Sequence, residues 1–236
     1  MFTFKIHRSF CQLLYFIVVL FGNSSQAQTN RIDSLRKVWM LEKNTQNQEK
    51  ILLALCENNF SLSADSLQKY VRQGLQIVDK NSEAAIRFTN FYSFYYFKNG
   101  EPAKASLYLD SLLKSTATFP LSPSTLLEIH FHKTISLIRN NEYKEAINAA
   151  LRMLALAEKN KDTLAVMRSY SLLGWANMEL DNETEAIHWL NKGIKASKNE
   201  ALLANVNSLF LNISSCYNLT DKPDSALYYV NKGIAF

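Results

Sequence analysis

Apolar residues recur along this chain at the spacing of helix faces, and strand-like alternation is almost absent. Between Arg31 and Leu41 the apolar residues occupy one face of a helix: Ile32, Leu35, Val38, Trp39 and Leu41. Seven aromatic residues crowd positions 88–97. On a helix they point all the way round, with Phe88, Tyr92 and Tyr95 or Tyr96 as the packing stripe. The pattern predicts an all-α protein in which most of these aromatics pack in the core.

A repeat with a period near 40 residues organises the chain. The tetrapeptide Asn-Lys-Gly-Ile occurs at 191–194 and again at 231–234. Equivalent positions in the preceding segments fall at spacings of 38, 41, 40 and 40 residues, at Leu67, Ala105, Ala146, Ala186 and Ala226. A fixed period in a helical chain indicates a stacked repeat array rather than one closed globule.

The residues around these positions resemble the tetratricopeptide repeats. The clearest matches are Leu173, Gly174, Ala186, Leu190 and Gly193 in the fourth unit, and Ile213, Ser214, Tyr217, Ala226, Val230 and Gly233 in the fifth. The third unit matches less well, because Lys133 and Thr134 replace an apolar–small pair. The usual period is ~34 residues, so we interpret both helices as longer by close to one turn. The resemblance implies an α-solenoid of about five antiparallel helix pairs in a right-handed superhelical array.

We predict a signal peptide at 1–27, an amphipathic capping helix at 28–43 and repeats over 44–236. The five repeats are expected at about 46–80, 82–116, 123–160, 162–198 and 200–236. Gly174 is expected where two helices touch, and Gly74, Gly193 and Gly233 where a second helix meets the next unit. Gly100 suits a turn, and Pro102 and Pro223 suit the first turn of a helix.

The N-terminus has the pattern of an export signal. Basic residues, including Lys5 and Arg8, precede an apolar stretch from Leu13 to Phe21, and Ser25-Gln26-Ala27 is a small-x-small cleavage site. The apolar stretch is shorter than the ~20 residues of a membrane span, which disfavours an uncleaved anchor without excluding it. We expect export, most simply to the periplasm of a Gram-negative bacterium.

The remaining chemistry points away from catalysis, metals and nucleic acid. Cys56 and Cys216 fall four repeats apart, too far for a disulfide, so buried unpaired thiols are expected. His130 and His132 point apart on a helix and cannot share a metal. The basic pI of about 9.0 belongs partly to the leader, and no basic stripe follows it. We therefore expect a protein that is not an enzyme and that binds no cofactor, no metal and no nucleic acid.

The resemblance to tetratricopeptide repeats also implies a concave groove on the first helices of the repeats. Its candidate residues are Arg87, Asn90, Phe94, Lys98, Glu128, Phe131, Arg139, Arg168, Ser171, Trp175 and Met178. Arginine beside Phe and Trp suits an extended peptide with an acidic or C-terminal carboxylate feature. The alternative is that these positions are solvated or pack against the next repeat, and Trp175 could pack between the fourth and fifth units.

Two functions fit these expectations. The first is an exported, non-enzymatic scaffold that binds a protein or peptide. The second rests on the opening Arg-Ile-Asp-Ser-Leu helix at 31–35, which resembles the exported input region of bacterial sensor histidine kinases and related regulators. The apolar residues 234–236 favour either a longer protein, of which this chain is the front, or a partner that covers them.

Overall fold

The structure, a computed structural model, describes residues 25–115, 119–197 and 203–234. These residues form eleven helices and no strand, so the all-α prediction is confirmed. The helices are α1 Ser25–Leu41, α2 Thr45–Cys56, α3 Ala64–Ile77, α4 Glu83–Lys98, α5 Pro102–Ser115, α6 Pro123–Arg139, α7 Tyr143–Lys159, α8 Thr163–Glu179, α9 Glu183–Ala196, α10 Leu203–Leu219 and α11 Pro223–Ile234. The predicted leader lies outside the described residues, except that its last three residues open α1. No described helix is long and apolar enough to cross a membrane.

The described residues fall into two compact units. The first unit holds residues 25–141, from α1 to α6, and the second holds residues 142–234, from α7 to α11. Within each unit, helices that follow one another in sequence pack together. The two helices of the third predicted repeat belong to different units.

The turns between the helices of a pair repeat one backbone conformation. Gly100, Asn141, Asp181 and Asp221 each follow the first helix of a predicted repeat, with φ angles of 75°, 62°, 57° and 57°. At Asp181 and Asp221 the next N–H bonds back five residues, from Asn182 to Asn177 O and from Lys222 to Tyr217 O. These bonds are Schellman caps, which end a helix and reverse the chain. Within the helix pairs, these turns recur at the near-40-residue spacing of the sequence repeat. Lys161, between the third and fourth predicted repeats, has a similar φ angle of 56°.

Helix starts follow the expected chemistry. Prolines begin three helices, α5, α6 and α11, at Pro102, Pro123 and Pro223. Proline lacks an N–H group, and at the first position of a helix an N–H would have no acceptor within the helix. At α4, Ser82 Oγ accepts a hydrogen bond from the Ala85 N–H at 3.2 Å. Asp162 caps α8 in the same way through Ala165 N, at 2.9 Å. Such caps satisfy N–H groups that the first turn of a helix leaves open.

Glycines mark the places where helices approach most closely. A Cβ atom on Gly174 would lie 2.6 Å from the Leu190 side chain of α9. A Cβ on Gly74 would lie 2.3 Å from the ring of Phe88 in α4, and one on Gly193 would lie 2.9 Å from Leu209 in α10. The predicted roles of these three glycines are confirmed.

Each unit has its own apolar core. In the first unit the fully buried side chains are large and partly aromatic: Leu52, Leu55, Leu67, Phe88, Phe91 and Phe94. In the second unit the core joins α8, α9 and α10 through Met167, Leu190, Leu209 and Ile213.

Cys56 and Cys216 are buried free thiols, as predicted. Burial raises the pKa of the Cys56 thiol and raises that of Cys216 to about 12.

The mismatch in the third predicted repeat has a local explanation. Lys133 stands where an apolar residue is usual, and its ammonium points at α5. Lys133 Nζ lies 2.7 Å from Asp110 Oδ2 and donates to Ser106 Oγ at 2.6 Å. A charge-assisted contact between α6 and α5 replaces the apolar one.

Candidate binding surface

In the first unit, three helices that begin successive predicted repeats lie side by side. α4 packs against α2 and against α6, so the candidate residues of the second and third repeats fall on neighbouring helices. They are Arg87, Asn90, Phe94 and Lys98 on α4, and Glu128, Phe131 and Arg139 on α6. Their exposure separates residues that a ligand can reach from residues that support the surface.

Phe94 is the centre of an aromatic cluster on this side of the unit. Its side chain is only 1% exposed, and its ring centroid lies 4.7 Å from that of Phe60 and 4.7 Å from that of Phe97. Phe131 of α6 is half-buried, with its centroid 6.4 Å from that of Phe60. Phe94 therefore supports the surface from within, while Phe97 and Phe131 keep accessible area.

A buried polar chain lies beneath the aromatic cluster. Asn59 Nδ2 lies 3.1 Å from His132 Nε2, and His132 Nδ1 lies 3.1 Å from Asn90 Oδ1. All three side chains are buried. The two contacts fit a neutral imidazole protonated at Nδ1, which donates to Asn90 Oδ1 and accepts from the Asn59 amide. Asn90 is 0% exposed, so it holds α6 against α4 and offers no surface to a ligand.

Lys98 carries a partly desolvated positive charge at the end of α4. Its Nζ donates to the backbone oxygen of Phe60 at 3.0 Å and lies 5.8 Å from the Phe94 ring centroid. Burial lowers the pKa of the Lys98 ammonium. An anion beside it would favour the charged form, which makes Lys98 a suitable anchor for a carboxylate.

Two arginines lie on the same pair of helices. The Arg139 guanidinium lies 5.9 Å from the Phe97 ring centroid, within range of a cation–π contact. Arg87 forms an ion pair with Glu57 at 2.8 Å, with both side chains partly exposed. Such an exposed pair contributes little stability, so Arg87 can exchange Glu57 for another carboxylate. Glu128 on α6 is half-buried and adds a negative charge to this region.

The candidate residues of the fourth predicted repeat belong to the second unit, on α8. Arg168 is exposed and Ser171 is half-buried. Trp175 and Met178 are each only 7% exposed, and Met178 belongs to the core cluster of this unit. Trp175 Nε1 donates to Glu179 Oε1 at 3.0 Å. Arg168 and Ser171 thus offer surface, while Trp175 and Met178 are packing residues in this structure.

Sequence reasoning missed Phe60 and Asn59, which lie between α2 and α3. They complete the aromatic cluster and the polar chain across large sequence separations, 73 residues in the case of Asn59 and His132. No periodic signal marks residues outside helices, so only the three-dimensional packing reveals them. Within the described residues, no group of three His, Cys, Asp or Glu side chains could hold a metal ion.

Comparison with known proteins shows what fold the chain has, through likeness to solved structures. No family model matches the chain, and no curated protein sequence matches it. Among solved structures, BtubC (BKLC) from P. vanneervenii matches with a TM-score of 0.62 at 15% identity, over 89% of this chain and 87% of that one. A kinesin light chain from Podosopora anserina with TPR-like repeats matches with a TM-score of 0.56 at 14% identity, over 90% and 95%.

The RapI apo form matches with a TM-score of 0.57 at 16% identity, over 94% of this chain and 63% of that one. At such low identities these likenesses establish architecture alone. The fold class is therefore an all-α solenoid of tetratricopeptide type.

Proposed function

We propose that this protein is a non-enzymatic scaffold that binds an acidic peptide segment of a partner protein through the first unit. The observation that carries the proposal is the arrangement on α4 and α6. Lys98 and Arg139 lie beside an aromatic cluster in which Phe97 and Phe131 keep accessible area. Arginine and aromatic residues are enriched among the anchors of protein interfaces.

The chemistry of this surface favours a carboxylate next to an apolar side chain. The Lys98 ammonium is partly desolvated, so a carboxylate that reaches it forms a charge-assisted hydrogen bond in a weakly screened environment. Phe131 and Phe97 give apolar area next to that charge. An extended segment with alternating acidic and apolar residues meets both requirements.

The second unit adds further candidates for the same function. Arg168 and Ser171 lie on α8 with accessible side chains, and an arginine is a suitable contact for an acidic segment. We propose them as contacts of a separate surface, which belongs to the second unit alone. Trp175 and Met178 act through the stability of α8 rather than through direct contact, because they are buried.

A peptide-binding assay with matched variants tests the proposal. Two labelled short peptides are compared by fluorescence anisotropy, one alternating glutamate with leucine and one alternating lysine with leucine. We expect the acidic peptide to bind and the basic one not to bind. Lys98→Met keeps the apolar stem and removes the charge, and should weaken acidic-peptide binding about tenfold or more.

Lys104→Met is the matched control, because Lys104 is an exposed lysine of α5 paired with Glu101 at 3.0 Å. The control should bind the acidic peptide like the parent. Equal weakening in both variants would show that only net charge matters, and absence of binding to the parent would remove the proposed surface altogether.

We further propose that the protein is exported, on the basis of the leader pattern at 1–27. N-terminal sequencing of the protein from a periplasmic fraction should give Gln28 as the first residue.

The alternative to a free scaffold is the input region of a membrane-bound sensor kinase or regulator, and the opening helix favours this alternative. In that helix Ile32 packs into the core of the first unit and Arg36 donates to Tyr70 Oη at 2.9 Å. The DNA downstream of the Phe236 codon distinguishes a sensor input region from a free scaffold, since a sensor requires a further open reading frame that encodes an apolar membrane span.

A further inference from the structure

Four tyrosines of the first unit lie together on α4 and α5, and we call them the tyrosine cluster. Tyr92, Tyr95 and Tyr96 belong to α4 and Tyr108 belongs to α5, and all four side chains are half-buried. On α4 the helical spacing turns the three tyrosines away from Phe94, which supports the candidate peptide surface. The tyrosine cluster is therefore a separate surface of the first unit.

The four rings lie close together at several inclinations. Tyr92 and Tyr95 stack with ring centroids 5.4 Å apart, whereas Tyr92 and Tyr96 are nearly perpendicular at the same separation. The Tyr108 centroid lies 5.8 Å from that of Tyr96 and 6.0 Å from that of Tyr92. Burial raises the pKa of the Tyr108 hydroxyl group, and the nearby Tyr96 and Tyr92 hydroxyl groups raise it further. Ring faces carry negative potential, so a cluster of ring faces and neutral phenol oxygens suits a cation.

A cation of this chain already lies against the tyrosine cluster. Lys104 Nζ lies 4.5 Å from the Tyr96 ring centroid, within the ~6 Å range of a cation–π contact. The same ammonium group forms an ion pair with Glu101 at 3.0 Å. Glu101 raises the pKa of the Lys104 ammonium, and Tyr96 and Tyr95 make smaller contributions in the same direction. The tyrosine cluster and Glu101 thus stabilise a positive charge together.

The contact between Lys104 and Tyr96 differs from the lysine–aromatic contacts at Lys98, Lys192 and Lys232. Each of those three lysines lies over a ring three or four residues earlier on its own helix, and residues at that spacing are neighbours on any helix. Lys104 of α5 instead lies over a ring of α4. Its position therefore depends on how the two helices bring the tyrosines together.

We propose that the tyrosine cluster binds a quaternary ammonium group, which takes the place of the Lys104 ammonium over the Tyr96 ring. A quaternary ammonium group donates no hydrogen bond, so it needs ring faces and a nearby negative charge rather than a set of acceptors. Its methyl groups contact the rings at their different inclinations, and Glu101 supplies the negative charge. The side chain of Lys104 is exposed, so it can turn into solvent when the ligand enters.

This proposal is independent of the acidic-peptide function, since the ligand has the opposite charge and lies on another side of α4. A quaternary ammonium group can belong to a free solute or to a lipid headgroup. The chemistry that the tyrosine cluster recognises is the same in both cases, and the experiments below separate the two sources.

Titration with choline chloride, followed by nuclear magnetic resonance of the tyrosine rings, tests the proposal. We expect saturable shifts of the Tyr96 and Tyr108 ring resonances. The neutral carbon isostere of choline, in which a tert-butyl group replaces the trimethylammonium group, should leave them unchanged, and so should sodium chloride at the same concentration. Lys104→Ala removes the competing ammonium and should tighten choline binding by roughly two- to fivefold, the contribution of one exposed cation–π contact.

Lys232→Ala is the matched control, because Lys232 lies over the Tyr228 ring at 4.8 Å in the second unit. This control should bind choline like the parent. Tyr96→Leu should weaken choline binding by at least the same factor, whereas Tyr96→Phe keeps the ring and should retain binding, and circular dichroism checks that each variant remains helical. Loss of folding cannot imitate the gain expected of Lys104→Ala. No saturable shift, an equal response to the neutral isostere, or unchanged affinity in Lys104→Ala would each overturn the proposal.

Sedimentation with lipid vesicles separates the two sources of the ligand. Phosphatidylcholine carries the trimethylammonium group, and phosphatidylglycerol does not. Sedimentation with phosphatidylcholine vesicles alone would assign the tyrosine cluster to a lipid headgroup, and choline binding without sedimentation would assign it to a free solute. Equal sedimentation with both vesicle types would contradict recognition of a lipid through its ammonium group.

Discussion

Gly74 is the position at which one added carbon atom tests the helix packing most severely. A Cβ atom there would lie 2.3 Å from both Cε1 and Cζ of Phe88, whereas carbon atoms in contact are ~3.5–4.0 Å apart. Phe88 is completely buried in the core of the first unit. Its ring must therefore move by roughly 1.2–1.7 Å into space that other side chains already fill.

The free-energy balance of Gly74→Ala is destabilising. Alanine in place of glycine within a helix contributes ~1 kcal/mol of stability, while overpacking a core costs ~1–3 kcal/mol and occasionally more. An aromatic ring yields less easily than the end of a flexible side chain, so the overpacking cost falls at the upper end. We expect the free energy of unfolding to fall by about 2 kcal/mol.

Urea denaturation followed by far-UV circular dichroism measures this loss. Gly233→Ala is the matched control, since its new Cβ meets only ordinary contacts and should raise stability by up to ~1 kcal/mol. Phe88→Leu should restore part of the loss in the Gly74→Ala background, with a coupling of ~0.5 kcal/mol or more in a double-mutant cycle. If Gly74→Ala is as stable as Gly233→Ala, the close approach of α3 and α4 is wrong.

Three further predictions follow from the turns, the caps and the second unit. Gly100→Ala forces an alanine to a φ of 75° and should cost ~1 kcal/mol in urea denaturation, and an unchanged midpoint would refute the left-handed turn. The Ser122 and Thr125 hydroxyls donate to the Glu83 carboxylate and lower its pKa. Stability from this group is therefore present above its unfolded pKa of ~4.3 and lost as pH falls through the lower folded value. Thermal melts from pH 6 to pH 2 should show a smaller acid loss in Glu83→Gln, and parallel curves would contradict the assignment. Trp175→Ala should lower the melting temperature by roughly 6–20 °C, corresponding to a loss of ~3–5 kcal/mol for a buried aromatic, and a variant that melts like the parent would contradict its assignment as a packing residue.

The fold was predictable because its signals are local and periodic. Recurring small residues, the glycines at helix contacts and the prolines at helix starts each have a fixed place in a helix pair. The repeat spacing and the resemblance to tetratricopeptide repeats predict helix contacts at Gly174 and Gly193, and the structure places Leu190 and Leu209 against them. Such positions are determined by close packing, which tolerates few residue types.

The binding surface was less predictable, because spacing gives a helix face but not what covers that face. Asn90 and Phe94 lie at predicted groove positions, yet α4 touches helices on two sides, and both residues are buried. Phe60, from the segment between α2 and α3, covers Phe94 and could not be placed from periodicity. Whether the accessible candidates bind a peptide stays a prediction.

The most direct test of the account is a nuclear magnetic resonance titration of the labelled protein with the acidic peptide. The proposed function predicts that shifted resonances cluster on α4 and α6, around Arg87, Lys98 and Phe131, and that the Lys98→Met variant loses them. Shifts confined to other helices, or equal shifts with the basic peptide, would contradict the proposal that the first unit recognises an acidic segment.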